Sequence, residues 1–487
     1  MGGWRATGIF VLFCVVNFLN FLDRGIIPGA PTQFQYFIQV TRNVSSSEEG
    51  FYLGFLSSSF VASYAIFVVL FGFLSIHVKP FRLVSIGLVV WCLAVLLCGL
   101  AKEAMNFQLL LVGRLLSGIG ESSFQCIAPA FIDDHAPAGT RSFWLGVFYA
   151  CSSVGMAFGV QYGAVMANSK LGWHWAFYLE AIVVFPLALI CMLAIPAEYN
   201  VTPAEAAARH DPEKRAVVGD ASHTAAVDDD NHSFFHELGR VCHDPIFGLI
   251  IWGTGASIFT LAGLSAFGTL FVVGLGLFQT DTEASVVLGC VVVASGMLGT
   301  PLGGLALDHE AAAHAPTRRQ HVALGHLVVT TTLSVVLALA SWVALPDKVW
   351  FLCCYALAMV FYAGSTSATI TALLLCVHPS RRALATGVYS LFTHVLGDVP
   401  APVIIGALKD KWAPHCDSVN MEGHIVLNPL CRQLDFHGLL MTMLCPLVWM
   451  TWSAVSYGVA YWISCRRVRE PTTNPIAAST GPPVAHV

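Results

Sequence analysis

Residues 82–101 read RLVSIGLVVWCLAVLLCGLA, twenty residues in which the leading Arg82 carries the only charge. A helix of that length crosses the roughly 30 Å hydrocarbon layer of a bilayer. Apolar runs of similar length recur from one end of the 487-residue chain to the other. The sequence therefore predicts a protein that crosses a membrane many times.

The overall composition points the same way. The chain is 56% hydrophobic and 11% charged, with a mean hydropathy of +0.70. Soluble domains carry roughly 25% charged residues, so this chain lacks the side chains to cover a water-facing surface. The net charge of −5 is small, and no basic block indicates a nucleic-acid partner.

We predict twelve membrane spans and an all-α fold. Lipid offers the backbone no hydrogen-bond partner, so the runs must form helices or closed barrel strands. Their length and their lack of period-two alternation exclude the barrel. The spans are expected at residues 7–30, 52–75, 82–101, 107–132, 143–167, 174–195, 246–275, 284–307, 321–344, 349–376, 383–408 and 436–464.

A polar stretch divides the twelve spans into six and six. Residues 1–195 are expected to form an N-terminal six-helix bundle and residues 246–464 a C-terminal one. Between them, 196–245 is a cytosolic linker with a short helix near 233–241, and 465–487 is a cytosolic tail. This pseudo-symmetric arrangement is typical of the major facilitator superfamily.

Lysine and arginine in the short loops predict the orientation. With a cytosolic N-terminus, the cytosolic side holds more of these residues than the outer side. Both termini are therefore expected in the cytosol, in an endolysosomal or plasma membrane. Asn43-Val-Ser is then a glycosylation candidate in an outer loop, whereas the similar patterns at Asn200 and Asn231 lie in the cytosol.

Charged side chains inside two spans are the main candidate site. Asp23 and Arg24 lie in the first span, and Arg114 and Glu121 lie two turns apart in the fourth. A charge at mid-membrane costs about 2.5–3.5 kcal/mol on insertion scales, so it usually faces a bundle interior or aqueous cavity. Two interpretations stay open: a cluster that binds an anionic head group or titrates with protons, and an ion-pair lock between helices.

The eleventh span contains a second polar pair. His394 and Asp398 are one helical turn apart and face the same way, ahead of Pro400 and Pro402, which should kink the helix. The pair is interpreted either as part of a hinge or as a group for gating or coupling.

The two halves of the chain also repeat a loop pattern. The second span ends at Gly72-Phe-Leu-Ser-Ile-His, and the eighth ends at Gly304-Leu-Ala-Leu-Asp-His. These loops resemble the Gly-x-x-x-Asp-Arg loop of the superfamily, which implies a gating role for Asp308 and His309. The first copy has Ile76 where the acid is expected.

The second half offers aromatic residues and a cysteine pair. Cys416 and Cys431 share one polar outer loop, where an oxidising environment makes a disulfide plausible. The seventh and tenth spans carry no ionisable residue in their cores. They carry aromatic residues that either pack between helices or form an apolar wall suited to an amphiphile. These residues are Trp252, Phe259, Phe267, Tyr355, Phe361 and Tyr362.

Several of these segments together resemble the Spinster family of the major facilitator superfamily. They are Asn17–Arg24, Gly113–Phe124, Gly299–Gly303 and the segment from Arg381 to Gly406. The resemblance implies export of single-chain lipids: lysophospholipids, or sphingosine-type lipids and their phosphates. It also implies that the four charged residues of the first and fourth spans line the polar cavity, and it leaves proton coupling open.

Other functions remain as alternatives. The same fold could carry a small organic anion or drug, or the chain could be a non-transporting membrane sensor or scaffold. We do not expect an enzyme, because no His-rich box or Ser/His/Asp grouping is present. No cofactor or metal is expected. The expected partners are a lipid substrate, the surrounding membrane lipids and, if coupling exists, protons; the protein is expected to be a monomer.

Overall fold

The computed structural model describes residues 2–43, 49–137, 139–202, 205, 234–279, 281–416, 418–421, 424–427 and 430–469. Its first eight helices are α1 (Gly2–Gly29), α2 (Pro31–Arg42), α3 (Glu49–His77), α4 (Pro80–Glu103), α5 (Phe107–His135), α6 (Arg141–Asn168), α7 (His174–Leu193) and α8 (Phe234–Val241). The expected linker helix near residues 233–241 is thereby confirmed.

The remaining helices follow in order: α9 (Pro245–Gly274), α10 (Asp281–Ala312), α11 (Arg319–Val343), α12 (Lys348–Leu374), α13 (Arg382–Thr393), α14 (Pro400–Trp412), α15 (Leu430–Leu434), α16 (Phe436–Trp449) and α17 (Thr451–Arg469). A π-helical segment, His394–Asp398, joins α13 to α14. Strands β1 (Ser418–Met421) and β2 (His424–Leu427) pair antiparallel, with Ser418 opposite Leu427.

The spans agree with the sequence prediction. Within the described residues, eleven stretches are long and apolar enough to cross a membrane. The α13–α14 stretch and the α16–α17 stretch each count as one of them. Helix α5 has 29 residues and comparable length, but Arg114, Glu121 and two aspartates lower its hydropathy. It occupies the position of the predicted fourth span, residues 107–132, and the candidate spans in the described part of the chain are helical, as predicted.

Helix α2 was not foreseen. It begins with Pro31, whose fixed φ suits a first helical turn, and it ends at Asn43, which adopts a left-handed backbone. Phe34 is buried, with its ring centroid 4.4 Å from that of Trp173. The segment is too short and too polar to resemble a membrane span, which is why hydropathy placed it in an outer loop.

Several helix starts follow from local chemistry. Asn106 accepts a hydrogen bond from the backbone N–H of Leu109 at the start of α5, and Asp347 caps α12 in the same way. At α9 the cap is Asp244, followed by Pro245 at the first helical position. These caps satisfy N–H groups that the helix itself leaves without partners.

The described chain divides into two compact units. Unit 1 contains the described residues of Met1–Pro137, Val147–His243 and Val377–Leu391. Unit 2 contains those of Ala138–Gly146, Asp244–Cys376 and Phe392–Val487. The described residues of 138–146 belong to unit 2, although residues of unit 1 flank them on both sides. Residues 377–391 belong to unit 1, although residues of unit 2 flank them. The division into two six-helix bundles stays a prediction.

A glycine stripe holds α6 directly against α1 within unit 1. Gly155, Gly159 and Gly163 recur every four residues, and a Cβ on any of them would overlap the α1 backbone. At Gly159 the overlap would be with the carbonyl oxygen of Leu22. Small residues at such spacing let membrane helices approach closely. The contact fixes the part of α1 that carries Asp23.

Candidate functional site

Two crossed ion pairs join α1 to α5. Arg114 donates from Nη2 to Oδ1 of Asp23 at 2.8 Å. Arg24 donates from Nε and Nη2 to Oε2 of Glu121, at 3.1 and 3.0 Å. The structure thus brings together the four charged residues predicted for these helices, and each acid receives an arginine from the other helix.

Burial differs among the four side chains. Asp23 and Glu121 are fully buried, and the Arg114 side chain is 3% exposed, whereas that of Arg24 is 18% exposed. Breaking a buried pair by removing one partner costs about 3–5 kcal/mol, because a charge is left without compensation. The Asp23–Arg114 pair therefore has the geometry of a structural lock, while the Arg24 side chain stays partly exposed.

Three aromatic rings lie around the Arg24 guanidinium, and one lies beside that of Arg114. The Arg24 guanidinium carbon lies 4.6 Å from the ring centroid of Phe21, 5.0 Å from that of Phe60 and 4.9 Å from that of Tyr64. Arg114 lies 5.0 Å from the ring of Phe177 on α7. Cation–π contacts of this kind stabilise a charge in a dry environment. They also place apolar surface directly beside the Arg24 charge.

A neutral hydrogen-bond network extends the cluster along α1. Gln125 of α5 donates to the side-chain oxygen of Asn17 at 2.8 Å. Asn17 in turn donates to the carbonyl of Phe148 at 2.7 Å and to the hydroxyl of Ser152 at 3.0 Å, both on α6. Asn20 is buried one turn away, and neither of its amide atoms has a partner within the described residues. The α1 face is therefore polar over several turns.

Glu180 of α7 is a further candidate that the sequence prediction does not include. This carboxyl is buried, and neither oxygen has a hydrogen-bond partner among the residues that the structure describes. It lies within electrostatic range of Asp23, Arg114 and Glu121. Glu180 is the one acidic residue in the predicted span 174–195, so the signal that drew attention to Glu121 was present here as well.

The gating candidates Asp308 and His309 lie at the end of α10. Asp308 is buried and accepts hydrogen bonds from the backbone N–H groups of Ser142 and Phe143, at 3.1 and 2.8 Å, within unit 2. A carboxylate at the first turn of α6 satisfies free N–H groups and interacts favourably with the helix dipole. His309 is exposed.

The His394–Asp398 pair forms within the π-helical segment. Nδ1 of His394 and Oδ2 of Asp398 are hydrogen-bonded, and both side chains are partly exposed. The backbone N–H of Val399 donates to the carbonyl of His394, a five-residue bond that widens the helix just before Pro400. The expected irregularity at the prolines thus takes the form of a π turn, a feature that often marks functional sites.

Arg381 and Arg382 anchor two other elements within unit 1. Arg381 forms an ion pair with Glu237 of α8, and Arg382 forms pairs with Asp133 and Asp134 of α5. Glu237 and Asp133 are buried although they lie at helix ends. The linker helix α8 is therefore tied to residues just before α13.

Unit 2 contains a partly open apolar cavity of about 60 Å³. Two of the six aromatic residues singled out in its sequence, Tyr355 and Tyr362, contribute to the wall, together with Met443 and Met450. Hydroxyls of Ser257 and other small residues supply the few polar atoms. The other four aromatic residues do not line this cavity, and Trp252 is exposed.

The structure joins Cys416 to Cys431 by a disulfide, and both residues are buried. Asn43 is exposed at the end of α2. Asn200 has a structural role instead, because its side-chain oxygen accepts a hydrogen bond from the backbone N–H of Phe81 at 3.2 Å. Asn231 lies outside the described residues. Within the described ranges, no group of three His, Cys, Asp or Glu side chains has a metal-binding arrangement.

Comparison with known proteins shows similarity along most of the chain. Residues 13–402 match the family model of the Major Facilitator Superfamily. A protein of Arabidopsis thaliana named "Probable sphingolipid transporter spinster homolog 2" is 30% identical over 411 residues, covering 82% of this chain and 81% of that protein. The human "Protein spinster homolog 1" is 24% identical over 426 residues, covering 84% of this chain and 75% of the relative.

Solved structures show the same fold. The Escherichia coli fucose:proton symporter aligns with a TM-score of 0.65 at 14% identity, covering 94% of this chain and 99% of that one. An inward-facing bacterial homolog of the human lysosomal transporter Spinster aligns with a TM-score of 0.57 at 18% identity, covering 95% and 98%.

Proposed function

The chain belongs to the spinster family of the major facilitator superfamily, whose members are transporters rather than enzymes, and we propose that it transports single-chain amphiphilic lipids by alternating access. The proposed substrates are lysophospholipids, sphingosine and sphingosine 1-phosphate. The names of the relatives support a sphingolipid-type substrate. The multi-pass fold supports transport across a membrane.

The partial exposure of Arg24 is the observation that carries the proposal. Its side chain is 18% exposed, while its partner Glu121 is fully buried. A guanidinium is planar and presents paired donors that match a phosphate or carboxylate. An anionic head group could therefore replace Glu121 as the partner of Arg24 without dismantling the Asp23–Arg114 pair.

The surroundings of Arg24 suit an amphiphile better than a fully polar solute. Phe21, Phe60 and Tyr64 lie within 5.0 Å of its guanidinium carbon. A sugar or small polar anion would need hydrogen-bond partners on every side, because an unpaired polar group in a dry site is costly. An alkyl or glycerol segment beside the head group would instead gain from contact with these rings.

Displacement of Glu121 by a head group has an electrostatic consequence. The released carboxylate stays buried, and an uncompensated charge at that depth is strongly unfavourable. Binding of a proton to Glu121 would remove the cost. We therefore propose protons as the coupling ion, with Glu121 as one site of their binding.

The other predicted residues enter the proposal as gating groups. Asp308 holds the first turn of α6 through its two backbone hydrogen bonds, with His309 exposed beside it. The π turn at His394–Asp398 gives its helix a point of irregularity. We propose that these groups respond when the transporter changes conformation.

We further propose the membrane arrangement that the sequence predicts. Both termini lie in the cytosol, the protein resides in an endolysosomal or plasma membrane, and it functions as a monomer of two six-helix bundles. The distribution of lysine and arginine over the short loops supports this orientation.

A reconstituted transport screen tests the substrate class. Purified protein in proteoliposomes is offered radiolabelled lysophosphatidylcholine, sphingosine and sphingosine 1-phosphate, with glycerol 3-phosphate as a soluble anion. We expect accumulation of at least one lipid above protein-free liposomes and no uptake of glycerol 3-phosphate. Uptake of glycerol 3-phosphate alone would instead indicate a small-anion transporter, and uptake of none would favour a sensor or scaffold.

A further inference from the structure

Glu180 is a buried acid to which the proposed transport cycle assigns no role. Glu180 is 3% exposed, and both of its carboxyl oxygens lack a hydrogen-bond partner within the described part of the chain. Transfer of an ionised carboxylate to such a place without a partner is far more costly than transfer of the neutral acid. The arrangement therefore favours a carboxyl that carries a proton.

Arg114, a cation that interacts electrostatically with Glu180, is already paired with Asp23. Arg114 lies over the ring of Phe177, which precedes Glu180 by three residues and thus lies on the same side of α7. The Nη2 of Arg114 is bonded to Asp23, but its Nε has no partner among the described residues. A donor and a carboxyl that both lack a hydrogen-bond partner among the described residues therefore belong to the same charged cluster.

Charged and titratable groups face Glu180 from the helices around it. They are Asp23 on α1, Cys98 on α4, Arg114 and Glu121 on α5, and Tyr162 on α6. Cys98 and Tyr162 are ordinarily neutral at pH 7.

Counting charge shows why one proton is needed. With Arg24 included, the cluster holds two guanidinium groups and three carboxyls, Asp23, Glu121 and Glu180. If all were ionised, one negative charge would remain in the membrane interior. One bound proton makes the cluster neutral, and the hydrogen bonds of the other two carboxyls leave Glu180 as the group to hold it.

We propose that Glu180 is a proton-binding site that shares Arg114 with Asp23. While the proton is bound to Glu180, Arg114 pairs with Asp23, as in the structure. When the proton leaves, the new carboxylate competes for Arg114 and weakens its bond to Asp23. Proton binding on α7 is thereby linked to the contact between α1 and α5. The site would couple proton movement to lipid transport. This coupling role rests on the proposed function.

Infrared spectroscopy tests the protonation directly, without any substrate. Purified protein at pH 7 should show the C=O stretching band of a protonated carboxylic acid. Glu180→Gln mimics the neutral acid in shape, so the protein should fold and lose this band. The matched control Glu103→Gln changes an exposed glutamate at the end of α4 and should keep it. Absence of the band in the wild-type protein, or its survival in Glu180→Gln, would overturn the proposal.

A second variant covers the case in which Glu180→Gln does not fold. Glu180→Asp retains the acid but alters its position, so the band should shift in frequency; an unshifted band would assign the proton to another carboxyl and overturn the inference.

Proteoliposome uptake then separates this inference from the proposed function. We expect Glu180→Gln to exchange lysophosphatidylcholine or sphingosine 1-phosphate but to lose pH-gradient-driven accumulation. Gradient-driven accumulation that survives in Glu180→Gln contradicts the coupling role. If wild-type protein transports no lipid while the band depends on Glu180, the proposed function fails and the proton site stands.

Discussion

Nη2 of Arg24 lies 3.0 Å from Oε2 of Glu121, and the two side chains differ in exposure, at 18% and 0%. The second pair, between Arg114 and Asp23, is buried on both sides. Two ion pairs between the same helices therefore have different environments. The proposed roles follow this difference: the buried pair is structural, and the partly exposed Arg24 binds the head group.

The structural role of the buried pair predicts strong coupling between its members. Asp23→Asn and Arg114→Gln should each destabilise the protein by about 3–5 kcal/mol, because each leaves a buried charge without a partner. The double variant should be more stable than the sum of the two losses predicts, by roughly 0.5–3 kcal/mol. Thermal unfolding in detergent measures all three. Additive losses in the double variant would show that the two side chains do not stabilise each other.

The glycine stripe predicts a position-specific effect of a single methyl group. Gly159→Ala should lower the unfolding temperature, since the new Cβ overlaps the carbonyl oxygen of Leu22 and forces α6 away from α1. Gly8→Ala is the matched control, because nothing lies within 4 Å of a Cβ at that position. Alanine favours helix over glycine, so the control should be unchanged or slightly more stable. Equal unfolding temperatures for the two variants would contradict the close contact.

Sequence patterns predicted the helices because bilayer thickness sets their length and lipid excludes other backbone structures. The same reasoning missed α2 and the β1–β2 hairpin. Both lie in segments that sequence analysis treated as loops, where no such length constraint acts. Hydropathy also understates how well α5 could span a membrane, because the charged residues of the candidate site lower its mean hydropathy.

The candidate site was only partly predictable. The charged residues of α1 and α5 were recognisable because ionised groups in apolar runs are costly. Their pairing was not, because four charges on two helices allow several combinations, and tertiary packing selects the crossed one. Glu180 carried the same signal but had no charged neighbour in sequence, and its relation to Arg114 emerges only when α7 packs beside them.

The cysteine pair predicts a stabilising bridge. Cys416 and Cys431 should appear as a linked peptide in mass spectrometry of unreduced protein, as the structure joins them. Replacing both by serine should cost roughly 3 kcal/mol in the chain-entropy model for a loop of this size. Cys353→Ser, at an exposed cysteine, is the control and should leave stability unchanged. Two free thiols in protein purified without reductant would contradict the bridge.

The proposed orientation predicts a glycan at one sequon. Asn43 is exposed, whereas Asn200 is hydrogen-bonded to the backbone of Phe81. Asn43→Gln should abolish the gel shift that a glycosidase removes, and Asn200→Gln should leave it intact. A shift that survives Asn43→Gln and disappears with Asn200→Gln or Asn231→Gln would reverse the orientation.

The central claim is that Arg24 binds the lipid head group in place of Glu121, which then takes up a proton, and uptake in proteoliposomes tests it most directly. The measurement compares sphingosine 1-phosphate and lysophosphatidylcholine uptake by wild-type protein, Arg24→Gln, Glu121→Gln and Arg82→Gln. Arg82, exposed at the start of α4, is the matched control. We predict that Arg24→Gln and Glu121→Gln lose uptake at least tenfold, which corresponds to about 1.4 kcal/mol, while remaining folded. We also predict that Arg82→Gln keeps wild-type uptake. Wild-type uptake by folded Arg24→Gln protein would contradict the account.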